Sequence, residues 1–69
     1  IKFSVPYGSN VNITIYDVLG NKVVTLINGY YAPGSYKVNW NAQNFASGIY
    51  LYKIDAANFV MTKKMVLLK

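Results

Sequence analysis

The stretch Gly48-Ile49-Tyr50-Leu51-Tyr52-Lys53-Ile54 constrains this chain more than any other. β-branched and aromatic residues fill it, and Ser47-Gly48 opens it with a turn signal. Side chains alternate along a strand, so Ile49 and Leu51 point one way while Tyr50, Tyr52 and Ile54 point the other. Both faces are apolar, and Lys53 is the single charge. A strand of that kind belongs in the middle of a sheet, with material over both faces.

The other segments read as its partners. Ile1 to Val5 alternates and stops at Pro6, and the cluster Pro6-Tyr7-Gly8-Ser9-Asn10 is a turn. From Val11 to Asp17 the alternation is clean, with Val11, Ile13 and Ile15 toward a core. Asp17-Val18-Leu19-Gly20-Asn21-Lys22 is a hairpin connection. The Asp17 carboxylate can accept a backbone N–H two residues on, and Gly20 can take positive φ. Lys22 to Ile27 is the next strand. It is expected to end at the turn dipeptide Asn28-Gly29, and Pro33-Gly34 suits a type II turn.

Between Ser35 and Trp40, the residues Tyr36, Val38 and Trp40 share an apolar face. Residues 41–47 carry no β-branched side chain and read as a loop or a single helical turn, with Phe45 tucked back. Asp55 to Asn58 is a turn, and Phe59 to Lys69 is a long closing strand. Lys63-Lys64 interrupts that strand and suggests a bulge or a crossing from cover to edge. Six strands follow, or about seven if Tyr30–Ala32 pairs separately. With turns every 8–12 residues or so, the pattern is that of an all-β sandwich or barrel.

The 69 residues make one domain, 1–69. A start inside a strand leads us to expect a domain cut from a longer protein. No cysteine is present to form a disulfide. With no histidine, no glutamate and only Asp17 and Asp55 as acids, neither a metal centre nor a cofactor is expected. Stability must then come from packing, to which seven tyrosines and one tryptophan bring large area. No apolar run approaches the roughly 20 residues of a membrane span.

Catalysis needs paired groups of matched pKa, which this inventory does not offer, so the chain is read as no enzyme. Net charge is +5, from seven lysines and no arginine. Arginine is the preferred residue for bidentate phosphate and base contacts, and the aromatics Tyr36 and Trp40 fall on the core face, so nucleic acid is not the expected partner. Tyr7, Tyr30 and Tyr31 lie in loops and could present rings to a sugar.

Read end to end, the chain resembles the C-terminal sorting domain of type IX secretion cargo, the Por-type tail. The matching residues are Ile1-x-Phe3-x-x-Pro6 and Val11-x-Ile13-x-Ile15-Tyr16-Asp17-x-x-Gly20-x-x-Val23-x-x-Leu26, followed by Gly34-x-Tyr36-x-Val38-x-Trp40. They continue through Ser47-Gly48-Ile49-Tyr50-x-Tyr52-Lys53-Ile54 and Phe59-x-x-Thr62-Lys63-Lys64-Met65-Val66-Leu67-x-Lys69. The first half also looks like the immunoglobulin-like domain of flagellar hook-capping proteins.

The resemblance implies a small immunoglobulin-like antiparallel β-sandwich of about seven strands at the end of a secreted protein. It implies a non-catalytic address label for a cargo domain that precedes it in the chain. Such a label is read by an outer-membrane translocon and processed by a surface peptidase. The destination is the medium or the cell surface of a Gram-negative bacterium, by way of the periplasm. Gly48 and Tyr50 in the turn-strand motif, and Lys63, Lys64 and Lys69 on the last strand, carry over as partner-recognition residues. A terminal strand with an uncovered edge can also be recognised by β-addition, its lysines steering it to an acidic surface. The alternative is a structural, adhesive or carbohydrate-binding immunoglobulin-like module.

Overall fold

A computed structural model describes residues 1–41, 43–56 and 59–68. They form six strands: β1 (Lys2–Val5), β2 (Ser9–Asp17), β3 (Lys22–Tyr31), β4 (Gly34–Lys37), β5 (Gly48–Ala56) and β6 (Phe59–Leu67). Two antiparallel sheets result. The larger has the order β3-β2-β5-β6, and the smaller pairs β1 with β4.

Burial of alternate residues explains the stacking of the sheets. The register aligns Ile27, Ile13, Ile54 and Met61 in one row across the four-stranded sheet. Ile13 and Ile54 are fully buried, and Phe3 and Val5 from β1 close over them with Val11 and Ile27. A three-ring cluster seals one side of this core. Phe3 stacks on Tyr36 with centroids 5.4 Å apart, and Tyr31 meets both rings edge-on. Tyr36 is held by its hydroxyl, which donates to the Ala32 carbonyl at 2.6 Å.

Strand β5 lies inside the sheet, between β2 and β6. Its two faces fare differently. Tyr50 and Ile54 are buried, whereas Ile49 is 45% exposed and Leu51 half-buried. The β1–β4 layer covers only the Ile54 side of the sheet.

Four expectations are corrected. Six strands are present among the described residues, where about seven were expected, because Tyr30 and Tyr31 continue β3 opposite Asn10 and Ser9. Asn28-Gly29 is correspondingly no turn: both residues sit in the ladder opposite Asn12 and Val11. Backbone pairing with β2 outweighs the local turn preference of that dipeptide. Gly34 opens β4 at φ +149, so Pro33-Gly34 is a bend of another kind than type II, whose second residue sits near +80°. Finally, β6 carries no bulge at Lys63-Lys64; its pairing with β5 is unbroken from Phe59 to Leu67. The irregularities lie in β3 instead, where Leu26 and Val23 are extra residues against β2. That extra residue lets Leu26 as well as Ile27 pack on the core.

Candidate functional site

The recognition residues expected from the sequence come together in one stretch of the β5–β6 ladder. Gly48 pairs with Leu67, Tyr50 with Met65, Leu51 with Lys64 and Tyr52 with Lys63. Lys69 lies outside the described residues.

The turn that delivers β5 is built from the loop before it. Gly48 has φ +155, a backbone state that other residues rarely adopt. Two residues on, Tyr50 turns inward and is 9% exposed. Its hydroxyl donates to the Ala46 carbonyl at 2.7 Å, tying the strand to the loop. Trp40 lies edge-on to it at 5.2 Å, and Phe45 packs on Trp40 at the same distance. Tyr50 therefore holds the loop against the sheet and does not present its ring at the surface.

Lys63 and Lys64 are both exposed and point to opposite faces of the sheet. Lys63 ends the row Val24, Ile15, Tyr52 on the core side. Lys64 ends the row Lys22, Tyr16, Leu51 on the other side. Between them runs the outer edge of β6, which among the described residues pairs with β5 alone. Nine residues of ladder edge flanked by lysines thus have no neighbouring strand among the described residues.

Of the remaining candidates, Asp17 and Tyr31 serve the fold. Asp17 is occupied by its own turn: its Oδ1 accepts from the Leu19 and Asn21 N–H groups, both at 2.9 Å. Tyr31 belongs to the ring cluster with Phe3 and Tyr36. Tyr7 and Tyr30 are exposed. Sequence reasoning missed that Ile49 and Val66 face each other uncovered, at 45% and 59% exposure. Alternation identifies an apolar face but carries no signal for whether another layer covers it. No helix among the described residues is long and apolar enough to cross a membrane.

Six strands in two antiparallel sheets, with exposed lysines along an edge strand, define a small all-β domain. The family described as the secretion system C-terminal sorting domain matches residues 1–68, nearly the whole chain. The protein belongs to that family, the sorting signal of type IX secretion, whose members are in general non-catalytic and accompany exported proteins. No curated protein and no solved structure matches the chain.

Proposed function

We propose that this domain is a folded address label, read by the outer-membrane translocon through strand addition to β6. The observation that carries this reading is the free, nine-residue edge of β6 with Lys63 and Lys64 exposed on either side. Main-chain pairing to an open edge supplies affinity, and lysines on both sides steer an acidic partner toward it. Lys69 extends the same cationic end of the chain. Gly48 and Tyr50 contribute by setting the start of β5 and so the position of the β6 ladder.

On this reading the immunoglobulin-like sandwich sits behind a cargo domain and has no catalytic role. A surface peptidase then removes it and leaves the cargo anchored at the cell surface or released. The route runs through the periplasm.

The test is a secretion assay in a host with the type IX machinery. Residues 1–69 are fused behind a periplasmic fluorescent reporter and compared with the same fusion carrying Lys63→Glu and Lys64→Glu. Charge reversal is preferable to deleting β6, because deletion would uncover Tyr50 and Ile54. Reporter at the surface with the natural tail, and retained in the periplasm with the folded variant, supports recognition at β6. Equal export of both overturns that placement. Retention of both removes the sorting role from this segment and favours an adhesive module presenting the exposed Tyr7 and Tyr30.

A further inference from the structure

The four-stranded sheet has two outer edges, β3 and β6, and they are guarded by different means. β3 is interrupted twice against β2, and each interruption breaks the regular line of N–H and C=O groups that a further strand needs. β6 runs unbroken from Phe59 to Leu67. Its guard is charge alone. Lys63-Lys64 stands at the middle of the strand, after Thr62, with Phe59, Val60 and Met61 before and Met65, Val66 and Leu67 after. A bulged edge is closed to any strand, whereas a charged edge is closed only to strands that repel it.

Neither lysine faces an acid across the ladder. Lys63 is opposite Tyr52, and Lys64 is opposite Leu51. Asp17 is bound into the β2–β3 turn, and Asp55 stands opposite Val60, toward the other end of β6. A second copy of the chain is an unsuitable partner. Antiparallel pairing of β6 with itself over its whole length is centred on Lys63, which then faces its own counterpart. The next register that keeps equivalent faces together sets Lys64 against Lys64 instead. Like charges directly opposite each other on antiparallel strands are destabilising, so the edge rejects its own kind.

We propose that the strand received by β6 carries two consecutive acidic residues at its centre, opposite Lys64 and Lys63, with β-branched or apolar residues on either side. This inference rests on the strand-addition reading above and names the chemistry of the partner. Two adjacent positions of an added strand lie on opposite faces of the sheet, as Lys63 and Lys64 do, so one acid answers each lysine. The flanking residues meet the apolar ends of β6, where Val60 and Val66 are exposed. A bare anion would answer the lysines and leave both the open backbone groups and these apolar ends unpaired. The lysine pair therefore fixes register as well as partner, because slipping the added strand leaves a lysine facing an apolar residue.

The experiment is a titration of the ¹⁵N-labelled 69-residue chain with three peptides, followed by amide shifts. The first is Val-Thr-Val-Glu-Glu-Thr-Val-Thr-Val, which in antiparallel pairing sets its acids opposite Lys64 and Lys63. The second has Gln-Gln in place of Glu-Glu. The third has the composition of the first with both acids moved to its N-terminus. Each is also titrated against Lys63→Glu/Lys64→Glu, whose substitutions are exposed and do not threaten folding. The first peptide is expected to shift amides from Phe59 to Leu67 and to bind about tenfold more tightly than the other two, with the gap narrowing as salt is raised. On the charge-reversed chain the glutamine peptide is expected to bind more tightly than the first. Equal binding of the first and second peptides at β6 overturns the acid pair while leaving strand addition in place. Equal binding of the first and third overturns it as well, since net charge alone then explains the attraction. Shifts in β6 from none of the three overturn strand addition itself, and with it this inference.

Discussion

Trp40 meets Tyr50 edge to face, with ring centroids 5.2 Å apart and planes at 77°. This pair, together with the Tyr50 hydroxyl on the Ala46 carbonyl, helps fasten the loop before β5 to the sheet. The Trp40 indole nitrogen is buried and donates to no acceptor, so its ring contributes as an apolar body. Trp40→Ala is expected to cost about 3–5 kcal/mol, enough to unfold much of so small a domain. Trp40→Phe should cost less, because it also removes a buried N–H that has no partner. Urea unfolding followed by circular dichroism measures both. A fully stable Trp40→Ala would show that the ring is not part of the core.

Tyr50 separates packing from hydrogen bonding. Its ring is buried, and its hydroxyl reaches the Ala46 carbonyl at 2.7 Å. Tyr50→Phe keeps the ring and is expected to cost about 1 kcal/mol. Tyr50→Ala loses the contact with Trp40 as well and is expected to cost about 3–5 kcal/mol. In a secretion assay, export by Tyr50→Phe together with retention of Tyr50→Ala would identify Tyr50 as a structural support of the signal. Loss of export in a stable Tyr50→Phe would instead place the hydroxyl in the recognition event.

Asp17 stabilises the β2–β3 hairpin through both carboxylate oxygens, Oδ2 accepting from the Asn21 side-chain amide at 3.4 Å. Its Oδ1 accepts from Leu19 and Asn21, while the Gly20 N–H bonds the Asp17 carbonyl at 3.0 Å. Asp17→Ala removes all three side-chain bonds and is expected to cost about 1–2 kcal/mol. Asp17→Asn retains an acceptor oxygen and should lose less. Thermal unfolding of the two variants distinguishes them. Equal losses would mean that the negative charge matters more than the acceptor geometry.

The parts of this fold that were legible in the sequence are those decided locally. The Asp17 turn follows from an acid two residues before an N–H that needs an acceptor, and the Val11–Asp17 alternation follows from one buried face. The interior place of β5 was legible from its two apolar faces. What one of those faces meets was not, since Ile49 stays largely open. Asn28-Gly29 misleads because dipeptide preference knows nothing of β2 across the ladder. The Lys63-Lys64 pair misleads for a related reason. At an outer edge, side chains on both faces of a strand reach water, so two adjacent lysines need no bulge. The Lys2–Lys37 and Ser4–Ser35 pairings join residues more than thirty apart in sequence and leave no local trace.

Gly48 tests the backbone component of the turn-strand motif. A Cβ built there meets nothing within 4 Å, so space does not exclude a larger residue. The φ of +155 does, and residues forced into that region lose about 1–3 kcal/mol. Gly48→Ala is therefore expected to be destabilising without any steric clash, and a loss near zero in urea unfolding would show that the turn relaxes freely. Because Gly48 pairs with Leu67, the same substitution is expected to loosen the C-terminal end of β6 first. Faster amide exchange at Met65 to Leu67 than at Phe59 to Met61 is the corresponding signature.

The opposite orientations of Lys63 and Lys64 allow two modes of recognition to be told apart. A partner strand added to the β6 edge lies beside both side chains, whichever face each occupies. A partner seated on the outer face of the sheet, over Tyr16, Ile49 and Leu51, lies beside Lys64 and away from Lys63. Lys63→Glu and Lys64→Glu, made singly, are expected to leave stability unchanged because both side chains are exposed on an edge strand. Under edge addition the two reversals should reduce export to similar extents. A defect confined to Lys64→Glu would move the contact from the edge to the outer face, where the uncovered Ile49 and Val66 would then supply its apolar centre.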